Sequence, residues 1–451
     1  MPGQGQQVWS GALRSGPVVA LTLLLAGCVG GGSGGSKFGF GSSTNTDQAS
    51  LAAGGGVSAA RQDAESRSAV IGDLLSRQTI LTGNGAYAQI AQSVIEANSG
   101  PARAELRVAR LKAEARSKNW LPSIKPSLSL TDLGETFASL IVEQVLFDGG
   151  GRKAERAFAA ADVEVAATSL ALDYNQRVYE GLNLYIVKQR ALEQAGLADR
   201  AAGRMAEFER IVTIRVDGGM SDRSEQQVIQ QKAAEMRATA SNDRFQAAQA
   251  MAELNTMASR DLGGVSGLGN LPADANAPEP LSVVKARAEA TRTQAEAEVV
   301  RAGYRPGLKG IANINQDGDI ESGLSVEFDN ALGLGTGAEL DALAMTKEVT
   351  DRRVAKTAEQ ANRDIVALQH EIATLTARQS EGASVLAQGE TTLAMFTEQF
   401  KVGRRTLMEL VNMFESVTAM QREQAGLKYE IALKRLQIAR DRGILVSGAA
   451  L

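Results

Sequence analysis

The stretch Trp120-Leu121-Pro122-Ser123-Ile124-Lys125-Pro126-Ser127-Leu128-Ser129-Leu130 decides the fold, because its pattern returns 184 residues later as Tyr304-Arg305-Pro306-Gly307-Leu308-Lys309-Gly310-Ile311-Ala312-Asn313-Ile314. Trp120 falls on Tyr304 and Pro122 on Pro306. Further along, Gly149 falls on Gly333, Gly151 on Gly335 and Ala154-Glu155 on Ala338-Glu339, without a gap. The faces agree as well. Ile124, Pro126, Leu128 and Leu130 alternate with Ser123, Lys125, Ser127 and Ser129, the period of two of a strand with one wet face. Leu308, Gly310, Ala312 and Ile314 keep that parity against Lys309, Asn313 and Asn315, with Ile311 the exception.

A second strand follows each of these after a short polar turn. Ala138, Leu140, Val142 and Leu146 share one parity, as do Leu324, Val326 and Phe328, while Glu143 and Glu327 take equivalent places on the opposite face. Each copy therefore predicts a β-hairpin of strands long enough to cross a bilayer when tilted. A soluble sheet shows the same alternation, but Trp120, Phe147 and Tyr304 gather at one end of the hairpins, where an aromatic girdle would lie. Four strands cannot close a barrel, since about eight is the smallest known, and an open edge in lipid leaves backbone groups unsatisfied. The chain must then oligomerise; two copies give eight strands and three give twelve, and arithmetic does not choose.

After each hairpin the pattern turns helical, over roughly 150–214 and 335–400, long enough for columns of about 100 Å each. Asp217-Gly218-Gly219 and Val402-Gly403 end these helices, and a shorter helix returns from each. The helices expected before the hairpins, 87–118 and 281–303, make up the remaining height; a further short helix is expected over 62–78. Leu407, Leu410, Val411, Phe414 and Val417 form an apolar stripe for lateral packing. The expected fold class is mainly α with a membrane β-barrel part: long antiparallel helices forming an α-barrel, two β-hairpins per subunit, and an internal two-fold repeat.

The N-terminal segment addresses the chain. Arg14, the apolar run Val18–Leu25 and the ending Leu25-Ala26-Gly27-Cys28 read as a secretory signal peptide, too short to span a bilayer. The ending resembles the bacterial lipobox, which implies acylation of Cys28, the one cysteine of the chain, and Val29 after it resembles outer-membrane sorting. Residues 29–60 are rich in Gly, Ser and Ala and predict a flexible tether. The expected boundaries are a signal peptide (1–27), a lipidated tether (28–60), a first repeat (61–260, hairpin 123–147), a linker (261–280), a second repeat (281–445, hairpin 307–331) and a C-terminal tail (446–451). With one histidine, His370, and one cysteine, the chain offers no metal cluster or nucleophile–histidine arrangement, so no cofactor and no enzyme activity are expected. A net charge of −4 carries no footprint for nucleic acid.

Two motifs then carry a resemblance that spans roughly residues 85–445. Val145-Leu146-Phe147-Asp148-Gly149-Gly150 followed by Arg152-Lys153-Ala154-Glu155, and Phe400-Lys401-Val402-Gly403-Arg404-Arg405-Thr406 followed by Leu407-Met408-Glu409-Leu410-Val411-Asn412, resemble the strand-to-helix junction and the second helical turn of the TolC-type outer-membrane efflux proteins. The resemblance implies a homotrimer, a twelve-stranded barrel and a helical tunnel with a periplasmic gate. It also implies a periplasmic adaptor and an inner-membrane transporter as partners, in efflux or type I secretion. Carried over, Arg405 matches the gate arginine, Glu409 and Asn412 match two acidic positions at the aperture, and Phe400 matches an aromatic tether, with Glu225 or Asp222 the nearest acceptor for Arg405. The tip facing the adaptor would comprise Gly218, Gly219, Ser221, Val402, Gly403, Arg404 and Thr406. Glu143 and Glu327 would face the lumen and mildly favour cations. Asn412 and Phe400 depart from the family pattern, removing a carboxylate and a phenolic hydroxyl. The alternative is a periplasmic coiled-coil structural or adaptor lipoprotein, which leaves the matched amphipathic hairpins unexplained.

Overall fold

The structure, a computed structural model, describes residues 68–81, 83, 85–130, 136–269, 271 and 278–450; Cys28, the signal peptide, the tether and the turn between the first two strands lie outside them. In chain order the elements are α1 (Ala69–Ser76), α2 (Ala86–Glu96), α3 (Ala102–Ser117), β1 (Ser123–Leu130), β2 (Thr136–Phe147), α4 (Gly151–Asp217), α5 (Arg223–Met257), α6 (Leu281–Ala302), β3 (Gly307–Asn315), β4 (Ile320–Glu327), α7 (Thr336–Lys401) and α8 (Leu407–Asp441), closed by a 3₁₀ turn, Gly448–Ala450. The spacing met in the sequence runs through the elements. Adding 184 to the bounds of α5 gives those of α8, and β3 begins 184 residues after β1.

The helix expected over 87–118 is two helices. Asn98-Ser99-Gly100-Pro101 interrupts it, because proline disfavours helix in the residue before it and the Asn98 side chain accepts from the Gly100 N–H while donating to Asp173 at 3.0 Å. At 67 and 66 residues, α4 and α7 rise about 100 Å each at about 1.5 Å per residue. Packed on α4 are α3, α5, α6 and α8, and α6 and α8 also pack on α7. The coverage of the two long helices differs. Whereas α4 is buried along most of its length, α7 leaves Met345, Val349, Val366, Val385 and Met395 exposed.

The strands form one antiparallel sheet in the order β1-β2-β3-β4, so β1 and β4 each keep a free edge. Register places like against like: Ile124 faces Val142, Pro126 faces Leu140, Leu140 faces Ile314, Val142 faces Ala312, and Leu308 faces Val326. At the base the pattern departs from simple alternation. A bulge between Val145 and Phe147 leaves Leu146 unpaired and sets Phe147 opposite Leu308, because one extra residue shifts parity by one. The second hairpin also ends earlier than expected, at Glu327, which leaves Phe328 beyond the strand.

The largest core is a belt around the middle of α4. Tyr87, Ile90, Val94, Leu170, Val178, Leu182, Tyr185 and Leu254 join the ends of the chain there. Expected as a linker and a tail, 261–280 and 446–451 contribute Leu262, Leu271 and Val446 to that core. The belt is knitted by backbone pairing: the Ile80 N–H donates to the Ile444 carbonyl at 2.9 Å and the Gly448 N–H to the Arg77 carbonyl at 2.9 Å. The Asn175 side chain accepts from the Leu445 N–H at 3.0 Å. Short segments of this kind have no periodicity of their own, so only their partners across the chain reveal them.

Two glycines of α4 test this packing in opposite directions. Alanine is favoured over glycine in a helix by up to about 1 kcal/mol. At Gly181, however, an added Cβ would lie 2.9 Å from Val94 Cγ2, and overpacking costs about 1–3 kcal/mol. Nothing lies within 4 Å at Gly203. Gly181→Ala should lower the thermal midpoint followed by circular dichroism and Gly203→Ala should raise it; a rise in both would mean that the belt is loosely packed.

Candidate functional site

Two regions concentrate the polar side chains expected to carry function: the pair of helical turns far from the sheet, and the polar face of the sheet. The turns share one backbone plan. After α4, the Gly219 N–H donates to Val216 at 3.0 Å and the Met220 N–H to Arg215 at 2.7 Å; after α7, the Gly403 N–H donates to Phe400 at 3.0 Å and the Arg404 N–H to Gln399 at 2.8 Å. Gly219 and Gly403 hold φ of 71° and 78°, a left-handed conformation that terminates helices and that side chains with a Cβ resist. Asp222 then caps α5 through the Ser224 N–H, and Thr406 caps α8 in a reciprocal box with Glu409.

On this common plan the side chains diverge. In the first turn Ser221 donates its hydroxyl to Glu225. In the second, at the same spacing, Arg405 pairs with Glu409 at 2.9 Å. Arg405 also donates Nε to Gln399 at 3.0 Å and lies 4.3 Å from the ring centre of Phe396. Glu225 and Asp222, named from the resemblance as the nearest acceptors for Arg405, accept from Ser221 and from the Ser224 N–H in their own turn. Arg405 staples α7 to α8 because its guanidinium can stack on a ring while its edge donates to Gln399 and Glu409. Carboxylate-directed donors from Thr406 and Arg405 hold the Glu409 carboxyl below the usual carboxylate range, the Thr406 backbone N–H foremost.

Phe400 is 1% exposed and belongs to the core under the turns with Phe208, Val212, Ile229, Leu410 and Phe414. Phe208 meets Phe414 edge to face at 5.7 Å, and the Arg215 guanidinium sits 4.8 Å from the Phe400 ring centre. An aromatic ring without a hydroxyl suits that dry position. Asn412 is exposed on α8, and Gly218, Val402 and Arg404 are exposed at the turn surface, with Met220 beside them.

Sequence reasoning missed the bolts that join α8 to α5 and α4 further along. Asp243 on α5 receives both guanidinium nitrogens of Arg422 on α8, at 2.7 and 3.2 Å, and Arg422 also donates to the Gln194 carbonyl. Lys232 reaches Glu415 at 2.9 Å, and its ammonium is held above the usual lysine range by bonds to Glu415 and then Glu235. Glu193 accepts from Lys428 and from the Tyr429 hydroxyl at 2.5 Å. Residues so far apart in sequence leave no local signal for these pairs.

On the sheet, the polar face carries one connected ion network. Lys309 lies 2.9 Å from Glu327, 3.5 Å from Asp329 and 3.7 Å from Glu143, and Glu143 also takes Lys125 at 2.9 Å. Glu143 and Glu327 thus share a face and a lysine. The apolar face is bare on the edge strands, where Ile124, Leu128, Ile320, Leu324 and Val326 are all more than 60% exposed; β3, between them, is half-buried on both faces, and Glu143 and Lys309 on the polar face are each 19% exposed. An uncovered apolar face beside a partly covered polar one inverts the arrangement of a soluble sheet.

No protein-family model matches the sequence, and no curated protein does. Solved structures do match in fold. The outer membrane protein VceC of Vibrio cholerae aligns at 14% identity over 79% of this chain and 96% of its own, with a TM-score of 0.68. The outer-membrane channel CmeC of Campylobacter jejuni aligns at 12% identity over 80% and 86%, with a TM-score of 0.66. The open state of the outer-membrane channel MtrE of Neisseria gonorrhoeae aligns at 14% identity over 80% and 90%, with a TM-score of 0.64. The chain has the mainly helical fold, with a small antiparallel sheet, of these channels.

The capping box has a pH signature. Because the folded Glu409 carboxyl titrates below its unfolded value, its stabilisation is present above the unfolded range and is lost as pH falls through the folded one. Hydrogen exchange at the first turn of α8 should therefore quicken as pH drops below the ordinary glutamate range, after correction for intrinsic rates. Thr406→Ala, which removes a cap worth about 1 kcal/mol, should quicken it at neutral pH and flatten its pH dependence. A first turn whose corrected exchange ignores both changes would show that the box does not hold it.

Proposed function

We propose that the chain is one subunit of a trimeric outer-membrane exit duct, passive and without enzymatic activity, that carries substrate outward for a periplasmic adaptor and an inner-membrane transporter. The observation that carries this reading is the bare apolar face of an unclosed four-stranded sheet, set at the end of helical columns of about 100 Å. Lipid is the solvent that such a face calls for, and strand edges in lipid must be paired. Successive strands run antiparallel, so β4 of one copy meets β1 of the next in the same alternation, and three copies close twelve strands, the number that the TolC-type resemblance implies. The two matched sets of elements are, on this reading, two copies of one unit. Exposed apolar positions on α7 then serve as contacts between subunits in the tunnel wall, and acylated Cys28 adds an anchor.

The paired turns form the periplasmic tip, with Gly218, Gly219, Ser221, Val402, Gly403, Arg404 and Thr406 towards the adaptor. Closure at the tip rests on the packing of α7 against α8, which Arg405 fastens through Gln399, Glu409 and Phe396. Asn412 adds no charge to the aperture. In the barrel, Lys309 offsets part of the charge of Glu143, Glu327 and Asp329, which leaves a mild preference for cations.

Planar-bilayer recordings from the purified oligomer should show a pore, and its absence would remove the duct reading. Arg405→Ser, by unfastening α7 from α8, should raise mean conductance; an unchanged value would confine Arg405 to shaping the turn. Lys309→Gln should move the reversal potential in a KCl gradient further towards cation selectivity, and a shift towards anions would contradict a lumenal position for the network.

A further inference from the structure

A groove of about 720 Å³ lies where the helices meet the sheet, between the start of α4, the end of α6 and the start of α7. Its charged lining is Lys153, Arg301, Arg305 and Lys347 against Glu298 alone, a net excess of positive charge in an otherwise acidic chain. Among the described residues Lys153 has no ion-pair partner, and the Arg305 guanidinium donates to the Gly149 carbonyl, at 2.7 Å. The other two cations have exposed partners on their own helices, Arg301 with Glu298 at 3.4 Å and Lys347 with Asp351 at 2.6 Å, pairs that hold a charge weakly. Asp148 stands close in sequence but is occupied by the amides of Gly150 and Arg152.

The level of this groove follows from the strands. Arg305 precedes β3 by two residues, and Gly149 and Gly150 follow β2 after Asp148, at the end where Trp120 and Phe147 are exposed. Its direction follows from α4. Lys153 and Ala157 share a helical face with Glu164, which accepts from the Ser68 hydroxyl at 2.6 Å. Ser68 caps α1, the first described element, and on the duct reading an anchor at Cys28 would approach that face from outside the closed ring.

Resting on the duct reading, we infer that this groove binds the phosphate of an anionic phospholipid from the periplasmic leaflet, so that each subunit is seated at a fixed height by lipid headgroups. Basic side chains at a membrane surface attract anionic lipid by about 1 kcal/mol each, and a multidentate groove adds position to that attraction. The test is native mass spectrometry of the full-length oligomer in detergent, titrated with phosphatidylglycerol or phosphatidylcholine of the same acyl chains. The wild type should retain phosphatidylglycerol preferentially. Lys153→Gln combined with Lys347→Gln should lose roughly fivefold of that preference per residue. Lys153→Arg should keep it, as should Lys356→Gln on exposed α7 surface outside the groove. Equal retention of both lipids by the wild type, displacement of lipid by millimolar inorganic phosphate, or loss of preference in Lys356→Gln would overturn the inference. Conductance recorded from the same wild-type preparation separates the two readings: a pore without lipid preference removes only the groove, whereas no pore removes the duct and the groove together.

Discussion

Everything in this molecule depends on four strands that cannot satisfy themselves. The sheet ends in two unpaired edges, β1 and β4, and its apolar face is left bare while its lysines and carboxylates pair on the other side. In water both features are costly. Apolar surface prefers burial by about 25 cal/mol per Å², and a free edge invites uncontrolled pairing. In a bilayer the bare face is satisfied by lipid, and the edges are satisfied only by another copy of the same sheet. The long helices α4 and α7 each follow a hairpin directly in the chain, so whatever fixes the sheet also fixes where they start.

The matched spacing of elements has a functional corollary at the turns. Two backbones with the same glycine, the same carbonyl bonds and the same capping position carry Ser221-Glu225 in one case and Arg405-Glu409 in the other. A hydroxyl contact is short and local, whereas the arginine reaches Gln399 and Phe396 on the preceding helix. The second turn is consequently fastened to its own column more firmly than the first, and the asymmetry lies in side chains while the scaffold stays common. Arg422 and Lys428 then tie α8 to α5 and α4, so movement of the second return helix must engage the first pair as well.

Much of this was legible in the sequence because it is periodic or punctuated. Alternation set the faces of β1 to β4, Gly218-Gly219 and Gly403 marked the turns, and the bounds of α5 and α8 differ by the same 184 residues as the matched motifs. What escaped was non-local or subtle. Leu146 looked like one more alternating residue until the partner strand exposed the bulge. The break at Pro101 was hidden by helical residues on both sides. The belt joins residues near 80, 260 and 445, each segment too short to announce itself. At the candidate gate, the residues could be placed at the second turn by resemblance, but the neighbours that Arg405 takes within the chain, Glu409, Gln399 and Phe396, are visible only in the folded turn. Phe400, read as a tether, is core for the plain reason that its neighbours are Phe208 and Phe414.

The most direct test of closure between copies uses the free edges themselves. With Cys28 the only cysteine, Ser127→Cys on β1 and Ser325→Cys on β4 can be joined by a bifunctional maleimide of about 8 Å. That is shorter than the roughly 14 Å separating the outer strands of a four-stranded sheet at about 4.8 Å per strand. Treatment of the protein in outer-membrane vesicles should give covalent dimers and trimers that resist denaturation and nothing larger, since a ring of three leaves no edge to extend. Monomer alone, or a ladder that continues beyond three, would contradict the account.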